Sequence, residues 1–209
     1  MTTAWEKVER SWQDQSCVVL ASGPSMSAEV VERVRYVPNH HVIVVNNTFR
    51  LAPWADILYA ADAAWWEKNK KDALVFSGLK VTCTDNPFPE VLKLREGARE
   101  GFDPDPGVVC TGGNSGYQAI HLAAHLGSKR ILLCGFDLHG GHWHDRHEYP
   151  LRDHGEGIYL KWIEAFKTLA PPLAALGIEV INCTPGSLLK VWPFMPLDEA
   201  LGSLKRIAA

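Results

Sequence analysis

Small residues gather at two places where chemistry on a phosphate would need them. One is Thr111-Gly-Gly-Asn-Ser-Gly-Tyr117, at the head of an apolar helical pattern. The other is Ser22-Gly-Pro-Ser25, which follows an apolar run. Glycine lets a backbone approach a ligand closely, and the first turn of a helix presents N–H groups with no partner inside the helix. Together with the positive end of the helix dipole, such bends suit phosphate. Ser22, Gly23, Pro24, Ser25, Gly113, Asn114, Ser115 and Gly116 are therefore the candidate phosphate- and nucleotide-binding residues. Polar side chains also close other apolar runs: Asn46 with Asn47, Asp62, Asp137 and Asn182. The amides Asn46 and Asn47 suit reading of a base or ribose. Asp62 or Asp137 suits orienting a general base or carrying Mg²⁺.

A second chemistry-bearing segment is Asp137-Leu-His139-Gly-Gly-His142-Trp-His144-Asp145-Arg-His147-Glu148, expected to belong to a loop or lid over 137–157. Imidazole and carboxylate are transition-metal ligands, and His142, His144 and His147 supply three. The order is similar to the metallo-hydrolase pattern His-x-His-x-Asp-His, with Asp and Arg exchanged. Acid/base or phosphate contacts are the competing role, and a lid without chemistry is a third. His154, between Asp153 and Gly155, is the leading general-base candidate, with His144 second. His121 and His125 stand one helical turn apart, a metal-ligand spacing. No Glu lies in the residues between them, so packed or solvated histidines are expected instead.

The elements that must position these groups follow from periodicity. Trp5, Val8 and Trp12 recur at helical spacing, predicting a helix within residues 1–15. Apolar runs at 16–21, 41–47, 57–62, 79–84, 130–136 and 178–182 read as strands. Helical patterns lie at 26–34 (with Ser25 as its cap), starting at Trp65-Trp66, at 111–127, at 158–176 and within 193–209. Residues 86–106, rich in charge, Pro and Gly, read as helix plus loop. Strands alternating with helices predict one α/β domain over 1–209, Rossmann-like and three-layered with a mainly parallel sheet. Polar strand ends at one edge of such a sheet are what a ligand crevice requires.

Composition sets the outer bounds. At 209 residues, 46% hydrophobic and 22% charged, the chain has the make-up of a globular protein. A net charge of −3 with no basic run gives no reason to expect nucleic-acid binding. No stretch is apolar enough to cross a membrane, and the N-terminal residues lack a signal-peptide core. The five cysteines are scattered without a Cys-x-x-Cys pair, so buried free thiols in a reducing cytoplasm are expected. The C-terminal amphipathic helix either covers the core or pairs with a second copy of the chain.

Taken together, Gly23-Pro-Ser25, Asn46, Asn114-Ser-Gly116, the run ending Gly135-Phe-Asp137 and Cys183-Thr-Pro-Gly-Ser187 resemble a superfamily. It joins bacterial lipooligosaccharide sialyltransferases to the MptE-like 6-hydroxymethylpterin diphosphokinase family. The stretches Asn47–Asp56, Ala61–Trp66, Gly112–Gly116 and His142–His144 are similar to a group of small phage and prophage proteins. The resemblance covers roughly residues 17–192. It implies that Gly23, Pro24, Ser25, Asn46, Ser115 and Gly116 hold a nucleotide, and that His154 takes the place of the catalytic histidine. The first Gly of the family's Gly-x-Gly-Pro-Ser turn is Ala21 here, and the family's phosphate-gripping tyrosines have no clear counterpart.

The reading that follows is a transferase using a nucleotide-activated donor, either a nucleotide sugar or a pyrophosphoryl donor, with Mg²⁺ or another divalent metal required in the second case. The acceptor is undefined. The alternatives are a metal-dependent hydrolase built on the histidine loop and a nucleotide-binding module without catalysis.

Overall fold

The computed structural model describes residues 5–85, 88–144 and 155–204. Its centre is a seven-stranded sheet in which every strand pair is parallel. In chain order the strands are β1 (Ser16–Leu20), β2 (His40–Val45), β3 (Ile57–Tyr59), β4 (Leu79–Thr82), β5 (Val91–Lys93), β8 (Arg130–Cys134) and β9 (Glu179–Asn182). Two short strands, β6 (Arg95–Glu96) and β7 (Val108–Val109), pair apart from it. Across the sheet the order is β5-β4-β3-β2-β1-β8-β9. The chain thus builds outward from β1 in one direction, then returns to add β8 on the other side. That reversal opens a crevice at the carboxyl ends of β1 and β8.

The helices are α1 (Ala28–Arg35), α2 (Ala63–Ala73), α3 (Ser115–His125), α4 (Glu156–Ala175) and α5 (Leu197–Leu204). α3 and α4 cover one face of the sheet, against Cys17, Val19, Ile43 and Leu133. α1, α2 and α5 cover the other, against Val18, Leu20, Val44 and Leu132. Because both faces are covered, the strands are apolar at every position rather than at alternate ones. Each fully buried Val or Leu contributes about 1.5–3 kcal/mol relative to exposure. The three-layer Rossmann-like α/β architecture expected from the sequence is the one observed.

Three local expectations need correction. Residues 5–15 form no helix. Glu6 N donates to Lys93 O, Val8 N to Pro106 O and Trp12 N to Leu126 O, so the segment lies extended across the ends of other elements. Val8 and Trp12 are buried, Trp12 stacked on His41 at 4.4 Å, while Trp5 is exposed. The described part of 86–106 holds β5 and β6 in place of a helix. Ser25 does not cap α1: Ser27 Oγ accepts from Val30 N, and Ser25 is bonded elsewhere. Asn46 and Asn47 begin a 3-10 turn, Asn46–Arg50, just past the end of β2.

No helix among the described residues is long and apolar enough to cross a membrane. All five cysteines are buried and free.

Candidate functional site

The two small-residue bends lie at one hollow. A cavity of about 750 Å³ at the carboxyl edge of the sheet is lined by Ser22 and Gly23 from the first bend and by Gly113, Asn114, Ser115 and Gly116 from the second. That volume suits a nucleotide-sized ligand. Asn46, Asp62 and His142 also line it, as do Glu96, Arg99, Gln118 and Trp162.

The first bend is fixed from within. Gly23 N donates to Gly135 O at 2.9 Å, joining the bend to the end of β8. A Cβ on Gly23 would lie 2.4 Å from that same oxygen and 2.1 Å from Asp137 Oδ2, so only glycine fits. Ser22 Oγ donates to Val45 O, and Thr48 Oγ1 donates to Ala21 O, which pins the 3-10 turn to the end of β1. Ser25 donates twice to Asp137, from its amide at 3.2 Å and from Oγ at 2.8 Å. Asp137 is 3% exposed, and burial pushes its carboxyl above the usual carboxylate range, against the lowering effect of the two Ser25 bonds. Pro24, Ser25 and Asp137 lie behind the cavity wall. The Cys183–Ser187 motif is a brace as well. Thr184 Oγ1 accepts from Phe136 N, Ser187 Oγ donates to Phe136 O, and Asn182 Nδ2 holds Ser187 Oγ.

The second bend is open. Asn114 caps α3, its Oδ1 accepting from Tyr117 N at 2.9 Å. By helix geometry the Ser115 and Gly116 N–H groups have no partner within the helix. The Asn114 amide nitrogen is buried without a hydrogen-bond partner among the described residues, and so is Asn46 Oδ1. A buried polar atom left unpaired costs about 1–3 kcal/mol. Asn46 is also held at φ 49°, in the left-handed region that few non-glycine residues adopt.

The histidines divide in the same way. His142 lines the cavity, with Nδ1 3.2 Å from Ser22 O. A proton on Nδ1 donated to that carbonyl leaves Nε2 as the basic nitrogen. His144 stacks on His142 at 5.0 Å, and its Nε2 is 3.2 Å from Asn47 Nδ2. Asn47 in turn accepts from Trp65 Nε1, so Asn47 and His144 stand behind the wall rather than on it. His147 and His154 lie outside the described residues. His121 and His125 are structural: Cys110 N donates to His121 Nδ1, and His125 Nε2 meets Val108 O at 2.8 Å. Burial holds the His121 imidazole down to about 3 and lowers that of His125, so both stay neutral.

Compared with protein-family models the chain matches none, and no curated protein matches it.

Sequence reasoning missed several residues of that cavity. Arg99 and Glu96 reach it from a segment without a motif, Gln118 from α3 just after the second bend, and Tyr159, Trp162 and Phe166 from one stripe of α4. The spacing of those aromatics (i, i+3, i+7) was a legible signal, but one that reads as core packing. Cys83 also lines the wall. Burial pushes its thiol up to about 11, so it is no thiolate nucleophile. Among the described residues no group of three or more His, Cys, Asp or Glu side chains is placed to hold a metal ion.

Proposed function

We propose that the protein binds a nucleotide-activated donor in this cavity and transfers its sugar or phosphoryl group to an acceptor. The observation that carries this reading is the meeting of both bends at one cavity, with the α3 N-terminus and two unpaired buried amide atoms on its wall. A phosphate at the head of α3 accepts from the Ser115 and Gly116 N–H groups and gains from the helix dipole. Asn46 Oδ1 accepts from a base amino group or a sugar hydroxyl. The Trp162 and Tyr159 rings offer an apolar wall to a base.

For sugar transfer, the bond from the anomeric carbon to the phosphate oxygen breaks and its electron pair leaves with the nucleotide. The acceptor oxygen bonds to that carbon, and its proton passes to a base. His142 is the described histidine on the wall, with His154 and His144 the candidates that the sequence supplied. For pyrophosphoryl transfer a divalent ion is needed, and Asp62 and Glu96 are the carboxylates on the wall whose oxygens, with those of the phosphates, suit Mg²⁺. The hydrolase alternative rests on His142, His144 and His147, the last of them outside the described residues.

A thermal-shift series tests the reading, using cytidine, uridine, guanosine and adenosine nucleotides and their sugar conjugates, with and without Mg²⁺. A donor that binds only the folded chain at a hundredfold excess over Kd adds about 2.7 kcal/mol and raises Tm. No shift with any of them would sink the proposal.

A further inference from the structure

The second bend carries more than backbone donors. A methyl group built on Gly113, where φ is +72°, would lie 3.3 Å from Arg99 Nη2 and 3.4 Å from Trp162 Nε1. A guanidinium and an indole N–H therefore converge on one point over the bend that opens α3. Arg99 is brought there by backbone pairing: Thr111 N donates to Ala98 O, and Gly112 N donates to Arg99 O at 2.7 Å. Its guanidinium has no ion pair or hydrogen bond among the described residues.

Beside Arg99, two donors on the same wall lack partners among the described residues. One is the buried Asn114 Nδ2. The other belongs to Gln118, one turn along α3 and only 4% exposed. Its Oε1 accepts from Tyr59 OH, and its amide nitrogen meets no partner among the described residues. Asp62 and Glu96 put carboxylates elsewhere on the cavity wall, but the donors gathered at this bend, one of them a permanent cation, suit an oxyanion.

We infer that Arg99 is the side chain that holds the phosphoryl group of the ligand, closing over the α3 N-terminus from outside both glycine bends. Its planar fork can bond two phosphate oxygens at once while the Ser115 and Gly116 amides take the others. Where a sugar is transferred, the oxygen that keeps the electron pair gains charge beside this guanidinium. The assignment rests on the transferase reading only for that last role, since phosphate recognition by Arg99 stands on the donor set itself.

The test uses inorganic pyrophosphate and inorganic phosphate as probes on the full chain, followed by calorimetry and by Tm. Pyrophosphate should bind the native chain. Arg99→Met should bind it roughly tenfold to a hundredfold more weakly, with an unchanged Tm when no probe is present. Arg99→Lys should recover part of the loss, because it restores the charge without the fork. Failure of the native chain to bind pyrophosphate, or equal binding by Arg99→Met, overturns the inference. Pyrophosphate binding that depends on Arg99, with no response to any nucleotide, would instead overturn the transferase reading and leave Arg99 in place.

Discussion

At the first bend both serines find partners inside the fold, Ser22 on Val45 O and Thr48, Ser25 on Asp137. At the second, Asn114 spends its oxygen on the helix cap and keeps an unpaired buried nitrogen, and Arg99 stands over it without an ion pair among the described residues. The sequences of the two bends are alike in composition, yet the first is occupied with holding β1, β8 and the 3-10 turn together. The second is left with donors to offer. A glycine-rich bend is thus a binding element only where the surrounding side chains leave its polar groups unspent.

The largest expected effect separates the two directly. Gly23→Ala places a methyl group against Gly135 O and Asp137 Oδ2, neither of which can move without breaking the junction of β1 and β8. Overpacking of this kind costs about 3 kcal/mol, to be read from denaturant unfolding, and ligand binding should fall with it. Gly113→Ala meets only the ends of two side chains, at a positive φ that costs about 1–2 kcal/mol. Its stability loss should be the smaller one, but its methyl group occupies the point where Arg99 and Trp162 converge, so pyrophosphate binding should be lost in a chain that remains folded. Equal stability losses in the two variants, or an intact anion site in Gly113→Ala, would break the comparison.

The strands were legible because a sheet covered on both faces demands unbroken runs such as Cys17-Val-Val-Leu20 and Val42-Ile-Val-Val45. Both bends were legible because few residue types fit there. What escaped was set by contacts distant in sequence. Trp5, Val8 and Trp12 keep a helical period, but the amides of Glu6, Val8 and Trp12 are claimed by Lys93, Pro106 and Leu126. Strands of three and two residues, β5 and β6, are too short to show any period. Arg99 belongs to an unpatterned charged stretch and is placed at the site by pairings distant in sequence, β6 with β7 and Gly112 N with Arg99 O. Asp137 was read as a strand-end carboxylate available for chemistry, and the structure holds both its oxygens on Ser25. Spacing shows where a carboxylate sits along a chain, not what occupies it.

The smallest expected effect concerns that carboxylate and is best read as a slope. Burial raises the Asp137 pKa above its usual 3.8, so the folded chain holds this proton more tightly than the unfolded chain does. The favourable contribution is full below the unfolded value and is lost as pH rises through the raised folded value. Native stability should therefore gain from Asp137 as pH falls from that raised value toward 3.8, on top of whatever other groups do. His121 and His125 act in the opposite sense, losing stability as pH falls below their usual 6.5, so the native curve alone cannot isolate Asp137. Asp137→Asn can, because it keeps the shape and one acceptor for Ser25 but removes the titration. At neutral pH the variant should stay within about 1 kcal/mol of native, a lost bond offset by relief of a buried charge. The difference between variant and native should then shift in favour of the native chain as pH falls toward 3.8, with pyrophosphate binding equal in both. A flat difference would mean that Asp137 titrates normally. Altered pyrophosphate binding would mean that the first bend, too, reaches the ligand through this carboxylate, and the division between a spent bend and an open one would not hold.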